Sequence, residues 1–236
     1  MTDKITDQAP LLRNRDIPRY VDMAILSPAL TDDEVVRALH VAAEVGAYSV
    51  CVFPAHISLA QRILAETEVK IGVVLDFPYG KSTPADKAAL AGLYAAAGVD
   101  EIDMVMDYGA ARSGDWDTVE AGIRAVVEAV ATHNNIPIKV ILETCTLTPE
   151  QITRAVIAAR SAGASFVKTS TGTATGGATI EAVEQMLQAA AGEIAVKASG
   201  GIRNAQTARR YLELGVERLG IGYAGLPAIA AEPDLF

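Results

Sequence analysis

Two lysines stand in short apolar runs of the sequence, Lys168 in FVKTS and Lys197 in AVKAS. Each could be structural, because a buried lysine is rare unless it is paired with a carboxylate. If the two runs are neighbouring strands, however, the two amines lie at one depth, where each lowers the pKa of the other and burial acts in the same direction. A neutral amine near neutral pH is the nucleophile that Schiff-base catalysis requires. The pair therefore predicts covalent amine chemistry.

Carboxylates are expected beside these amines. Side chains alternate along a strand, and in the run 100–106 this alternation turns Glu101 and Asp103 to the same interior as the lysines. Asp103 could then move protons during the reaction. Asp22 and Glu143, from two other apolar runs, are expected nearby. The same carboxylates could instead hold the lysines in structural ion pairs, and the residues alone leave both possibilities open.

Small loops follow the runs that carry the lysines. After Lys168 come nine residues that are only Thr, Ser, Ala and Gly. Bare backbone N–H groups at strand ends and helix N-termini favour an anion such as phosphate, although tight turns also explain glycine-rich loops. Three such loops on consecutive strands predict a phosphate cradle, and its candidate residues are Thr171, Gly172, Gly200, Gly201 and Gly222.

The elements that would position these residues repeat along the chain. Four helix-like runs end in a glycine that precedes a short apolar strand, at Gly46, Gly98, Gly163 and Gly215. Glycine suits the left-handed position just past a helix. The first two of these glycines are as far apart as the last two, and each interval has room for two strand–helix units. With the intervening β-branched runs there are eight strand candidates, at 19–26, 46–53, 70–77, 98–106, 138–144, 163–170, 193–199 and 215–222.

Helices are predicted between these strands. Capping boxes begin at Thr31 and Thr148, and Thr83 with the proline after it starts a third helix in the same way. Eight strand–helix units in 236 residues match a single-domain (β/α)8 TIM barrel. A doubly wound open sheet is the alternative, but it usually carries a glycine fingerprint after its first strand, and MAILSPAL contains none.

The pattern of strands and helices runs through the chain without a linker or a low-complexity tract. We therefore expect one domain over residues 1–236, with a polar N-terminal extension at 1–16 and a C-terminal tail at 226–236.

Composition narrows the classes of partner and location. The formal net charge is −9, which argues against nucleic acid and anionic membrane as partners, because both favour basic surfaces. No apolar run reaches the roughly 18 residues of a membrane span, and the polar start of the chain has no secretory signal. Cys51 and Cys145 are interpreted as buried reduced thiols, and the histidines lack metal-ligand spacing. A cytoplasmic protein without a metal site is expected.

Five motifs occur in one order along the chain: SVCVFP, DEIDMVM, KVILET, FVKTSTG with GGAT, and VKASGGIR. With them the sequence resembles the deoxyribose-phosphate aldolases, a family of class I aldolases. The resemblance implies a Schiff base at Lys168, proton transfer by Lys197 and Asp103, and a supporting polar role for Asp22. It implies reversible cleavage of 2-deoxy-D-ribose 5-phosphate to D-glyceraldehyde 3-phosphate and acetaldehyde, without a metal or organic cofactor. A homo-oligomer, either a dimer or a tetramer, is a further expectation.

One departure from the family's pattern leaves the substrate open. The loop after the eighth strand reads GIGYAG, with Tyr223 and Ala224 where the family commonly has two serines that help to hold phosphate. A Schiff-base aldolase with an unphosphorylated or altered aldehyde acceptor is therefore one alternative. A sugar-phosphate isomerase or a binding barrel, in which the lysines only neutralise phosphate, is the other.

Overall fold

Eight short runs rich in β-branched side chains form parallel strands that close into a barrel in chain order. The structure is a computed structural model, and it describes residues 12–133 and 136–234. The last strand pairs with the first, with Gly220 opposite Asp22, so the sheet closes on itself. The strands are β1 Val21–Ile25, β2 Ser49–Val52, β3 Lys70–Leu75, β4 Glu101–Val105, β5 Ile138–Ile141, β6 Phe166–Lys168, β7 Ala195–Ser199 and β8 Arg218–Gly222. The predicted (β/α)8 TIM barrel is confirmed.

Helices alternate with the strands. They are α1 Asp32–Val45, α2 Ile57–Leu64, α3 Pro84–Ala96, α4 Tyr108–Ser113, α5 Trp116–Val130, α6 Pro149–Ser161, α7 Ile180–Ala190, α8 Ala205–Leu214 and α9 Leu226–Ala231, with 3-10 turns at Asn14–Tyr20, Pro54–His56 and Thr144–Thr146. Thr31 and Thr148 form both halves of their capping boxes, and Thr83 accepts a hydrogen bond from the backbone of Asp86. Each of these caps satisfies an N–H group that a helix start leaves without a partner. In the described part of the chain, no helix combines the length and the apolar character needed to cross a membrane.

Alternation along the strands separates an apolar layer from a charged interior. Ile102 and Met104 of β4 are fully buried and share the hydrophobic core with Val119 and Ile123 of α5. Burying one side chain of this size contributes roughly 1.5–3 kcal/mol. Asp103, between the two β4 residues, turns inward and meets the lysines. The predicted inward direction of Asp103 is confirmed, and a packed outer layer holds its strand in place.

The two ends of the described chain are tied to each other. Asn14 is buried, and its side-chain amide donates to the carbonyls of Glu232 and Pro233 at 3.1 and 3.2 Å. Arg209 of α8 donates to the amide oxygen of the same asparagine at 2.7 Å. Of the predicted N-terminal extension, residues 1–11 lie outside the described residues, as do residues 235–236 of the predicted tail. The described part of the extension enters the 3-10 turn at Asn14, and the described part of the tail begins with α9 at Leu226–Ala231.

Candidate active site

Lys168 ends β6 at the mouth of the barrel. Its Nζ donates to Oδ2 of Asp103 at 2.8 Å, and 4% of the residue is exposed. In the register between β6 and β7 it lies directly opposite Lys197. The prediction that the two lysines share one depth on neighbouring strands is therefore confirmed.

Lys197 is held more firmly than Lys168. Its Nζ donates to Oδ2 of Asp103 at 2.8 Å and makes a second short contact with Oδ2 of Asp22. Both lysines are buried and line one cavity, with 4% of Lys168 and 1% of Lys197 exposed. Two carboxylates therefore surround one lysine, and a single carboxylate contacts the other.

Asp103 is the centre of this cluster. It is fully buried, and its second oxygen, Oδ1, lies 3.2 Å from Nζ of Lys139. Burial by itself would raise the pKa of Asp103, but the neighbouring ammonium groups of Lys139, Lys168 and Lys197 outweigh it and hold that pKa well below its usual range. Asp103 is consequently an anion, and its carboxylate pairs with three lysines at once.

The same charges change the expected protonation of the lysines. Burial lowers the pKa of Lys197, but the carboxylates of Asp103 and Asp22 outweigh burial and raise that pKa above its usual value. The expectation that two adjacent lysines would lower each other's pKa is thus wrong for Lys197. The carboxylates at hydrogen-bond distance outweigh the neighbouring cation, and Lys197 is an ammonium group and hence a proton donor at neutral pH.

A second layer of charge lies below the two lysines, and the sequence analysis missed it. Lys139 donates to Asp22 at 2.9 Å and to Glu101 at 2.6 Å. Arg218 donates to the other oxygen of Asp22 at 2.9 Å. Ser49 also donates to Asp22, at 2.8 Å. A lone lysine inside the apolar run IKVILET is the signal that could have identified this layer, because a lysine buried in a strand needs an acidic partner.

A cavity of about 350 Å³ opens above the lysines. Lys168 and Lys197 form part of its floor, whereas Asp103 has no exposed surface and meets the cavity only through them. The structure brings all the predicted substrate-binding residues to its walls, and these are Asp22, Thr171, Gly172, Gly200, Gly201 and Gly222. That they bind a substrate stays a prediction.

Close packing of the loops fixes the edge of this cavity where the sequence predicts a phosphate cradle. The backbone of Gly200 has φ +84°, a left-handed conformation that favours glycine. A Cβ atom on Gly220 would lie 2.7 Å from Cβ of Ser199 and 3.4 Å from Cε of Lys197. Thr169 and Ser199 exchange two hydrogen bonds of 2.9 Å between the ends of β6 and β7. Small residues here let the loops pack against the lysine side chains.

Glu143 belongs to the loops rather than to the lysine cluster. It follows β5 with φ +55°, which is an uncommon conformation for a residue with a side chain and costs on the order of 1 kcal/mol. Its carboxylate accepts from the backbone N–H of Thr171 at 3.3 Å and from the hydroxyl of the same residue. Thr171 and Thr173 both line the cavity. Glu143 therefore anchors one wall of the cavity.

The two cysteines differ in exposure. Cys51 is buried beside the cavity, and burial raises the pKa of its thiol to about 12. Cys145 is exposed, so its interpretation as a buried thiol is wrong. It lies one residue after Thr144, where the chain leaves the barrel in a 3-10 turn. Within the described residues, no group of three or more potential metal ligands is gathered in one place.

Comparison with known proteins places this geometry among aldolases. The sequence pattern of the DeoC/LacD family aldolases matches residues 18–228. The deoxyribose-phosphate aldolase of Thermoanaerobacter sp. (strain X514) is 42% identical over 205 residues, which are 87% of this chain and 92% of that protein. The solved structure of QR15, an aldolase, matches with a TM-score of 0.84 at 37% identity, covering 91% of this chain and 94% of the other. A structure of deoxyribose phosphate aldolase from Aeropyrum pernix, described as tetrameric, matches with a TM-score of 0.83 at 26% identity, covering 92% and 90%.

Proposed function

This chain belongs to the DeoC/LacD family of aldolases, and on that premise we propose that it cleaves 2-deoxy-D-ribose 5-phosphate reversibly to D-glyceraldehyde 3-phosphate and acetaldehyde. The observation that carries the proposal is the shared carboxylate oxygen of Asp103, which lies 2.8 Å from the amines of Lys168 and Lys197. Both lysines line the cavity, so a nucleophilic amine and a proton donor share one proton acceptor, Asp103, within hydrogen-bond distance of each. Covalent amine catalysis needs all three groups.

Each step of the cleavage has a group at hand. The amine of Lys168 loses its proton towards Asp103 and attacks the aldehyde carbon of the open-chain sugar. Lys197 donates a proton to the resulting carbinol oxygen, which leaves as water and yields an iminium ion. The iminium takes up the electron pair when the bond between C2 and C3 breaks, while the C3 hydroxyl gives its proton to the now neutral amine of Lys197, directly or through a water. Glyceraldehyde 3-phosphate departs, and Lys197 returns that proton to the enamine carbon. Water then adds to the iminium and gives a proton to Lys197, and acetaldehyde leaves as the nitrogen of Lys168 recovers the proton held by Asp103.

Backbone amides would hold the phosphate group in this proposal. Gly172, Gly201 and Gly222 lie at the cavity wall, and a Cβ atom on any of them would meet no heavy atom within 4 Å. That open space lets an anion approach the backbone N–H groups closely. Thr171 and Gly200 complete this edge, and Asp22 supports Lys197 from below.

A second candidate is an aldolase of the same chemistry with an unphosphorylated acceptor. Two observations favour it. Tyr223 and Ala224 line the cavity directly after Gly222, one of the proposed phosphate-binding residues. Among the described residues that line the cavity, Lys168 and Lys197 are the cations, and both are already paired with carboxylates. A phosphate dianion would therefore rely on neutral hydrogen-bond donors. This weakens the expected preference for a phosphorylated substrate over an unphosphorylated one.

Two experiments test the proposal. Borohydride reduction in the presence of acetaldehyde should attach a stable two-carbon adduct to Lys168, because only an iminium is reduced to such an adduct. An isomerase or a sugar-phosphate binder, in which the lysines merely neutralise charge, would give no adduct. Steady-state cleavage of deoxyribose 5-phosphate and of free deoxyribose then separates the two aldolase candidates. A kcat/KM that does not depend on the phosphate would favour the second.

The remaining features of the proposal follow from the same family. We propose a single catalytic domain that acts in the cytoplasm on small molecules, without a metal or an organic cofactor. The acidic net charge of −9 supports partners other than nucleic acid or anionic membranes. A homo-oligomer, a dimer or a tetramer, is also proposed, and sedimentation of the purified protein tests it.

A further inference from the structure

Lys87 is a buried cation outside the lysine cluster. It lies on α3 with 2% of its surface exposed, and the cleavage steps above do not use it. Its Nζ donates to the carbonyls of Gly80 and Val105, each at 3.1 Å, and lies 3.2 Å from Oδ2 of Asp76. An ammonium group has three protons to donate, so these three oxygens satisfy it. Burying it therefore requires all three partners to stay in place.

Two of the three partners of Lys87, Asp76 and Gly80, belong to the turn that follows β3. Asp76 has φ +53°, its carboxylate accepts from the backbone N–H and the hydroxyl of Ser82 at 2.9 and 2.8 Å, and its carbonyl accepts from Gly80 at 2.8 Å. Gly80 sits against the end of β4, where a Cβ atom would lie 2.0 Å from the carbonyl of Met106. Residues 76–80 thus form a closely packed turn, which we call the β3 turn, with the ammonium of Lys87 at its base.

Phe77 is the member of the β3 turn that lines the cavity. Its ring packs edge to face against Phe53, with centroids 6.2 Å apart. The carbonyl of Val105, the other partner of Lys87, lies two residues after Asp103 on β4. One buried cation therefore joins the turn that carries a cavity wall to the strand that carries the central carboxylate.

We infer that Lys87 is a positioning residue for the aldolase site, an inference that rests on the proposed function. Its charge fixes the β3 turn and so holds the Phe77 ring as a wall against the bound aldehyde. Without the ammonium group, the carbonyls of Gly80 and Val105 lose a donor, and the half-buried carboxylate of Asp76 keeps its bonds from Ser82 but loses its counter-charge. Moving the turn outwards would then let water solvate these oxygens. The wall then shifts, while the Schiff-base lysine, on the far side of the cluster, keeps its chemistry.

Lys87→Met tests this role, because methionine keeps most of the length of the side chain and removes the charge. We expect the half-saturating acetaldehyde concentration for borohydride trapping, and the KM for the phosphorylated sugar, to rise about tenfold, since small misplacements of binding groups are costly. The maximal yield of the Lys168 adduct should not change. Lys81→Met is the matched control: Lys81 follows the same turn, is largely exposed and pairs with Asp107 at 2.6 Å. Its effect should stay within about twofold.

A double-mutant cycle with Phe77→Ala shows whether Lys87 acts through that ring. If it does, Lys87→Met has little further effect on KM in the Phe77→Ala background, whereas fully multiplicative effects overturn the inference. Should Lys87→Met fail to fold by circular dichroism, Asp76→Asn removes the paired charge, keeps an acceptor for Ser82 and enters the same cycle. Wild-type protein that forms no adduct overturns the proposed function alone. Crystals of Lys87→Met in which Phe77 keeps its place overturn the positioning role whatever the activity.

Discussion

Lys168 and Lys197 donate to one and the same atom, Oδ2 of Asp103, and the two distances are equal at 2.8 Å. Lys197 also contacts Asp22 and so has two carboxylate partners. Among the described residues, Lys168 pairs with Asp103 alone. Lys168 is consequently the lysine less firmly held by carboxylates, and it is the more exposed of the two, at 4% against 1%. This asymmetry favours Lys168 as the nucleophile and Lys197 as the retained proton donor.

Replacing Lys168 by Ala should abolish both sugar cleavage and borohydride trapping, because the other lysine in the cavity wall, Lys197, is held as an ammonium group by two carboxylates. Lys168→Arg keeps the charge beside Asp103 but cannot form an iminium, so it should be equally inactive and more stable than Lys168→Ala. Mass spectrometry of the trapped wild-type protein locates the adduct, and thermal unfolding compares the variants. An adduct found on Lys197 would contradict this assignment of roles.

Asp103→Asn should lower kcat by about 10²- to 10⁴-fold, the usual contribution of a group that moves protons. Asparagine keeps the shape of the side chain but cannot accept a proton from Lys168. The matched control is Asp107→Asn on the same segment, where the aspartate caps α4 and pairs with Lys81 outside the barrel interior. Asparagine is also a good cap, so the control should retain nearly full activity. Similar losses in both variants would show that the inward direction of Asp103 does not matter for catalysis.

The parts of the site that the sequence could predict depend on local alternation. Asp103 turns inward because Ile102 and Met104 must face the helices, and this is visible in DEIDMVM. Lys168 and Lys197 lie at one level because each is the third residue of its strand and the two are opposite each other in the β6–β7 register. Predicting such features requires only the two-residue alternation of side chains along a strand and the rule that barrel sites lie at the carboxyl ends of strands.

The lower layer of charge could not be predicted in this way. In the register of β4 and β5, Lys139 lies opposite Asp103, and its side chain also contacts Glu101, two residues earlier on β4. The stagger of the closed barrel sets that register. Arg218 reaches Asp22 from the start of β8, on the strand that closes the barrel beside β1. Lys87 was missed for another reason: in PADKAALAG it looks like an ordinary polar residue on the exposed face of a helix.

The protonation of Asp22 should be visible in the stability of the protein. Burial would raise its pKa, but Lys139 and Lys197 outweigh burial and hold that pKa well below its usual range. A carboxyl group with a lowered pKa contributes stability above its unfolded pKa of about 3.9 and loses it as the pH falls towards the folded value. The difference in unfolding free energy between wild type and Asp22→Asn should therefore be constant from about pH 5 to 8 and shrink below about pH 4.

Urea unfolding followed by circular dichroism at a series of pH values measures this difference. Asp33→Asn, at an exposed position in the first turn of α1, is the control, and its effect should be small throughout. If the difference for Asp22→Asn is unchanged down to about pH 3, the paired cations do not lower the pKa of Asp22 as the geometry requires.

The loop after β8 is part of the proposed phosphate-binding edge of the cavity. Tyr223 and Ala224 line the cavity, and the backbone N–H of Tyr223 donates to the carbonyl of Ala24 at 3.0 Å, which ties the loop to β1. The amides of Gly172 and Gly201 are at the same edge. Phosphate recognition should therefore be weaker than with serine hydroxyls in this loop, but not lost.

Changing Tyr223 and Ala224 together to serine should lower the KM for deoxyribose 5-phosphate, because each hydroxyl that donates to the charged group contributes roughly 1.5–3 kcal/mol. Self-condensation of acetaldehyde needs no phosphate site and should continue at the wild-type rate, which makes it the internal control. Tyr223→Phe separates the loss of the phenol from the gain of serine, and it should leave the preference for phosphate almost unchanged. If the double serine variant has the wild-type KM, the loop after β8 takes no part in holding the phosphate.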